Sequence, residues 1–161
     1  MIHLFKKKEI ETPDDDVLAV VTGKMIPASQ IQDPIFAQEM MGQTIGFVPE
    51  QSDVVSPVNG IISVLFPTKH AFGIQADNGN EYLVHIGIDT VSLDGKGFKA
   101  FVKQGNRVKA GQKIIEVDWN LLQKGGFNTT TMLILTNKKS DNFKENYVDF
   151  KNVTVKEKIN Q

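Results

Sequence analysis

From Val17 onward the chain reverses direction every few residues, and this constrains its fold more than any other feature. The runs VLAVV, IGFVP, VVSPV, GIISVLF, AFGIQA, YLVHIGI, KIIEV, TMLILT and NVTVK are short and rich in Val, Ile, Leu and Phe. Such runs fit a pleated, half-buried surface. Between them stand turn sequences: Asn59-Gly60, Asp77-Asn78-Gly79-Asn80, Asp94-Gly95, Gln104-Gly105-Asn106 and Ala110-Gly111. Glycine and asparagine supply the positive φ that tight hairpins demand. Parallel strands need a crossover of a dozen or more residues, which this spacing does not leave. The expected fold is therefore all-β: an antiparallel sandwich or barrel-like sheet with glycine-rich turns. Helices should be few, short and peripheral. Asp33-Pro34 before IFAQEMM and Gly42, and Asp118 before WNLLQK and Gly125-Gly126, carry the cap, proline and glycine signals of short helices. A third turn or two is expected between Ser140 and Asp149. Val58, Ile62, Val84, Ile86, Ile88, Ile114 and Leu133 are expected in the interior.

Composition narrows the chemistry. The 161 residues suit one domain, with 18 basic against 19 acidic side chains. This balance lacks the basic footprint of a nucleic-acid binder, and the single arginine, Arg107, cannot form an arginine cluster. Cysteine is absent, which excludes disulfides, thiolate zinc sites and thiol catalysis. The longest unbroken apolar run, Val17 to Val21, is far below the ~20 residues that cross a bilayer. The start, MIHLFKKKEIE, has no apolar signal core, so a cytoplasmic location is expected. Residues 1–16 combine Lys6-Lys7-Lys8 with Asp14-Asp15-Asp16 and read as a flexible arm before a domain over 17–161. Membrane contact through residues 1–8 would be weak at most.

Three histidines carry the remaining options. His3 falls in the arm. In YLVHIGI, alternation puts Leu83, His85 and Gly87 on one face and Val84, Ile86 and Ile88 on the apolar one. His85 then points outward beside a residue without a side chain. A hairpin centred on Asn78-Gly79 pairs His85 with residue 72 and brings His70 within diagonal reach. On pattern alone, a shared patch and two unrelated histidines both stay open. Two imidazoles without cysteine could act as acid and base, hold zinc with an acid from a partner, or carry a phosphoryl group. No metal assignment is certain. Zinc-hydrolase spacings, P-loops and G-x-S-x-G are missing from the sequence.

The stretch LVHIGIDTV, with HAFGI fifteen residues upstream, resembles the active-site signature of glucose-type enzyme IIA of the bacterial sugar phosphotransferase system. SPVNGIISVLFPTKHAFGI, GFKAFVKQGNRVKAGQKIIEVD and DPIFAQEMMGQTIGFVP follow the family in order, over about residues 17–158. The resemblance implies a phosphotransferase component with no required cofactor. His85 would accept a phosphoryl group from the phosphocarrier HPr and pass it to a cysteine of an enzyme IIB domain. His70 would stabilise that group, Thr68 would orient His70, and Gly87 and Asp89 would complete the site. Phe36, Phe66 and Val91 would form an apolar docking rim. Other proteins regulated through the phosphorylation state are further implied partners. Leu83 stands where the family often has an aromatic residue.

Overall fold

The structure is a computed structural model and describes residues 11–161. It is an antiparallel β-sandwich. The strands are β1 (Gly23–Pro27), β2 (Gln43–Pro49), β3 (Asp53–Val55), β4 (Gly60–Leu65), β5 (Ala71–Ala76), β6 (Glu81–Ile86), β7 (Phe98–Ala100), β8 (Arg107–Val108), β9 (Lys113–Val117), β10 (Thr131–Asn137) and β11 (Asn152–Val153). Eight of them form one sheet in the order β11-β1-β2-β10-β6-β5-β4-β8, and β3-β9-β7 form the other. Two short helices, α1 (Pro34–Ala37) and α2 (Trp119–Lys124), begin at Asp33 and Asp118, whose carboxylates accept from the Ile35 and Leu121 amides.

Alternation builds two apolar layers. Phe47, Phe72, Ile74, Tyr82, Val84, Ile86, Leu133 and Leu135 face inward and meet Val54, Ile115 and Val117 of the small sheet. On the opposite face of the large sheet, Leu83, Met132 and Ile134 pack under the segment that carries Ile31 and Phe36. That covered outer face holds His85. Six of the seven expected interior residues lie in the main core. Ile88 belongs to the outer layer instead. The cause is Gly87, whose φ of +74° ends β6 and breaks the alternation.

Other expectations are also revised. VLAVV is buried but forms no strand. It crosses between loops, with the Leu18 amide donating to Pro57 O and the Ala19 amide to Glu157 O. The strand starts after it, at Gly23. The helix at Asp33 stops after one turn, because Glu39 adopts φ +54° and its carboxylate accepts from the Thr44 amide. Residues 140–149 hold turns and one bridge residue rather than a helix. β7 and β8 were not anticipated.

The segment expected to be an arm divides in two. Residues 1–10 lie outside the described residues. Residues 12–16 are fastened to the body: Asn59 Nδ2 donates to Thr12 O at 2.7 Å, and Lys158 pairs with Asp16 at 3.3 Å. Asn160 joins both ends of the described chain. Its Oδ1 accepts from the Val17 amide at 2.9 Å, while Nδ2 donates to Asp15 O at 2.8 Å and to Glu145 Oε1 at 2.7 Å.

Candidate functional site

The β5–β6 hairpin brings the two histidines together. Gln75 pairs with Glu81, and the Ala76 amide donates to Asn80 O, leaving a three-residue loop closed by Gly79 at φ +100°. His85 consequently faces Ala71 rather than residue 72, one residue away from the expected register. The shift moves His70 closer, since it now adjoins the partner of His85. The small Ala71 side chain leaves the space beside His85 open, and Met132 flanks it on β10. The imidazole centroids lie 5.2 Å apart with ring planes at 81°.

Each ring is held from one side. His85 Nδ1 is 2.8 Å from Gly87 O. A carbonyl can only accept, so Nδ1 carries the proton and the Nε2 lone pair is left outside that bond. His70 Nδ1 lies 2.7 Å from Thr68 Oγ1. The Phe36 ring is 5.0 Å from His85, and the Phe66 ring meets His70 edge-on at 5.4 Å. Phe36 arrives on α1 and Phe66 at the end of β4, so the patch is assembled from three separate stretches of chain.

Electrostatics favour neutral rings. His70 is 4% exposed, and burial, with repulsion from His85, pushes its pKa down to about 4. Burial also lowers His85, opposed by the Gly87 carbonyl and by the carboxylates of Asp33 and Asp89. Both imidazoles are thus uncharged near neutral pH, and one of them offers a nitrogen lone pair.

The backbone here is strained. Lys69 and Asp89 adopt φ +59° and Asp94 φ +51°, a region that non-glycine residues rarely occupy. Gly87 is required where it stands: a Cβ there would sit 2.5 Å from Thr90 Cγ2 and 3.1 Å from Asn128 O. Asp89 is exposed, and its carbonyl accepts from the Ser92 hydroxyl at 2.9 Å. Val91 is 55% exposed, on the 3-10 turn Thr90–Leu93.

The structure therefore gathers His70, His85, Thr68, Gly87, Phe36 and Phe66 into one patch, with Asp89 and Val91 on the turn that follows. The sequence reading missed three contributors. Asp33 was noted only as a helix cap, yet its charge acts on His85. Ile35, 47% exposed beside Phe36, extends the apolar surface. Thr90, in the middle of IDTV, is fully buried and donates to Ile86 O. The patch presents an apolar surface that includes the exposed Ile35 and Val91. A groove lined by Gln43, Leu135, Lys138, Tyr147 and Phe150 contains neither histidine. Such a face suits a macromolecular partner better than a small substrate.

Comparison with known proteins gives this geometry its context. A family profile described as phosphoenolpyruvate-dependent sugar phosphotransferase system, EIIA 1, matches residues 15–141. The glucose-specific EIIA component of Oceanobacillus iheyensis is 41% identical over 155 residues, covering 96% of this chain and 90% of that one. A glucose-specific EIICBA component of Streptococcus pneumoniae is 44% identical over 123 residues. The match covers 76% of this chain and only 17% of that much longer protein. The solved glucose permease IIA of Mycoplasma capricolum superposes with a TM-score of 0.85 at 36% identity, covering 97% of both chains. The profile and the near full-length matches agree, and this chain belongs to the EIIA 1 family of the phosphoenolpyruvate-dependent sugar phosphotransferase system.

Proposed function

We propose that the protein is a phosphocarrier in which His85 Nε2 accepts a phosphoryl group from phospho-HPr and passes it to a cysteine of an enzyme IIB domain. The observation that carries this reading is the bond from His85 Nδ1 to Gly87 O at 2.8 Å, which holds the ring in the tautomer with a free Nε2 lone pair. In the transfer, the donor's P–N bond breaks and its electron pair returns to the donor nitrogen. The Nε2 lone pair forms the new P–N bond. His85 keeps its Nδ1 proton, so the phosphorylated ring carries positive charge. Gly87 O and the carboxylates of Asp33 and Asp89 offset that charge.

His70 supplies the second role. Thr68 donates to Nδ1, which leaves His70 Nε2–H as the donor toward the phosphoryl oxygens. The 5.2 Å separation of the two rings supports this role, since it leaves His70 within reach of a group held on His85. A neutral donor suits a carrier, because a fixed cation would hold the phosphoryl group too tightly for onward transfer. Phe36, Phe66, Val91 and Ile35 exclude water around the reacting atoms and give successive partners an apolar footing. In this scheme the transfer requires no metal. Zinc on the two histidines would need an acid from a partner, since no cluster of three ligating residues occurs among the described residues. The relatives named glucose-specific support a glucose-type permease as the acceptor, and EIICBA relatives carry the matching segment within a longer chain. Regulated proteins would read the phosphorylation state on this same face. No helix among the described residues is long and apolar enough to cross a membrane, which agrees with a carrier that shuttles in the cytoplasm.

The test is incubation with phosphoenolpyruvate, enzyme I and HPr, followed by intact mass. The wild type should gain one acid-labile phosphoryl group and His85→Gln none. His70→Gln should still accept, with onward transfer to enzyme IIB slowed by about 10²–10³. Acceptance by His85→Gln together with failure of His70→Gln would reverse the two roles.

A further inference from the structure

Thr90 lies outside the patch, yet it contacts the backbone on which the patch hangs. Its residue is fully buried, and Oγ1 donates to Ile86 O at 2.5 Å. That carbonyl belongs to the Ile86–Gly87 peptide. The other end of the same peptide, the Gly87 amide, donates to Thr130 O at 3.1 Å. The peptide plane is therefore clamped on both sides. The Gly87 carbonyl that receives His85 Nδ1 belongs to the next peptide, Gly87–Ile88, across the φ of +74° and ψ of Gly87. Its Ile88 amide donates to Asn128 O at 3.0 Å, so its orientation follows from how the clamped peptide before it is set. The methyl of Thr90 adds a steric element: Cγ2 occupies the space a Cβ on residue 87 would need, 2.5 Å from it. Ile86 also reaches the other histidine, because its amide donates to His70 O at 2.7 Å.

We propose that Thr90 is the positioning residue that sets the tautomer of His85, by fixing the Ile86–Gly87 peptide so that the following Gly87 O is aimed to accept a hydrogen bond from His85 Nδ1–H. This rests on His85 being the phosphoryl acceptor. Thr90 touches neither histidine ring and acts only through the peptide. With the hydroxyl removed, the Ile86–Gly87 peptide keeps only the bond from the Gly87 amide to Thr130 O. It can tilt about that bond and shift the torsions of Gly87, so that Gly87 O is no longer aimed at His85 Nδ1. The His85 proton then divides between Nδ1 and Nε2, and every ring protonated on Nε2 lacks the lone pair that attacks phosphorus.

Two substitutions separate the hydroxyl from the shape. Thr90→Ser keeps the donor, whereas Thr90→Val keeps the volume and loses it. In the full chain, imidazole ¹⁵N chemical shifts report the His85 tautomer directly, a quantity that a merely structural role would leave alone. Wild type and Thr90→Ser should show Nδ1–H, and Thr90→Val a mixture. Acceptance from phospho-HPr should fall about ten-fold or more in Thr90→Val and recover in Thr90→Ser, because only the oriented tautomer is a competent nucleophile. A folded Thr90→Val with the wild-type tautomer and rate overturns the proposal, as does a Thr90→Ser that behaves like Thr90→Val. If Thr90→Val does not fold, Thr90→Ala replaces it. Failure of both to fold would assign Thr90 to overall stability and likewise overturn the proposal. If the wild type accepts no phosphoryl group, the carrier reading fails, and the tautomer comparison still decides for or against Thr90.

Discussion

Acid should unfold this protein partly through one side chain, and the contribution can be isolated. His70 is 4% exposed and its pKa is pushed down to about 4 by burial and by the neighbouring His85. An unfolded histidine titrates near 6.5, so the unfolded chain takes up this proton first as the pH falls. Between about 6.5 and 4 the unfolded state binds more protons than the native state, and stability must drop with pH across that window. Above it, both states hold a neutral ring and the group contributes no pH dependence. The difference of roughly 2.5 in pKa corresponds to about 3 kcal/mol by the low end of the window. His70→Gln retains a polar partner for Thr68 but cannot titrate. Urea unfolding at several pH values across the window, wild type against His70→Gln, gives the double difference in which carboxylate titration cancels. The wild type should lose about 2–3 kcal/mol more than the variant between about pH 7 and pH 4. Parallel stability curves for the two proteins would refute the assignment of a buried, neutral His70.

Three further outcomes follow from other contacts. Gly87→Ala should cost about 2–3 kcal/mol and abolish phosphoryl acceptance, because φ is +74° and the new Cβ meets Thr90 Cγ2 at 2.5 Å. Thermal melting and a transfer assay check both effects, and a variant that transfers normally would contradict the tight packing at this turn. Asn160→Ala should cost about 2–3 kcal/mol in urea, since Glu145 is only 4% exposed and loses the Asn160 donor to its carboxylate. Unchanged stability would mean the junction of the two chain ends carries no weight. Leu133→Ala, fully buried between β2 and β6, should cost about 2–4 kcal/mol in the same assay without changing the His85 tautomer.

Strand alternation is a local property, and it was readable. It put Val84 and Ile86 inside and His85 outside, as the structure has them. The turn sequence DNGN announced the hairpin, so the proximity of His70 and His85 could be anticipated. Its exact register could not, because loops of two and three residues both accept Asp-Asn-Gly, and the observed loop takes three. Where alternation stops is equally hard to see. Ile88 is buried as expected, but on the other face from Val84 and Ile86, because Gly87 turns the chain at a point the hydrophobic pattern continues through. β8 has two residues and β7 three, too few for any period to register. VLAVV has strand composition, but its partners are loop carbonyls far along the chain. The missed parts of the site share one cause. Asp33 influences His85, and Thr90 grips Ile86, only because loops return to particular places, and residue type alone does not encode the return.

The Asn160 junction has an architectural consequence. Residues 15–17 and 160 meet at one point, where Glu145 also engages the Tyr82 hydroxyl. Tyr82 stands near the start of β6 and His85 near its finish, about 10 Å apart at the usual strand rise. Residues 15–17 and 160 thus meet beside one end of β6, and His85 stands near its other end. Splicing such a module into a longer polypeptide would need only a single attachment point, away from His85 along β6. Joining residue 15 to residue 160 by a short linker and opening the chain in the 77–79 loop should accordingly yield a circular permutant that still folds, as a thermal melt would show.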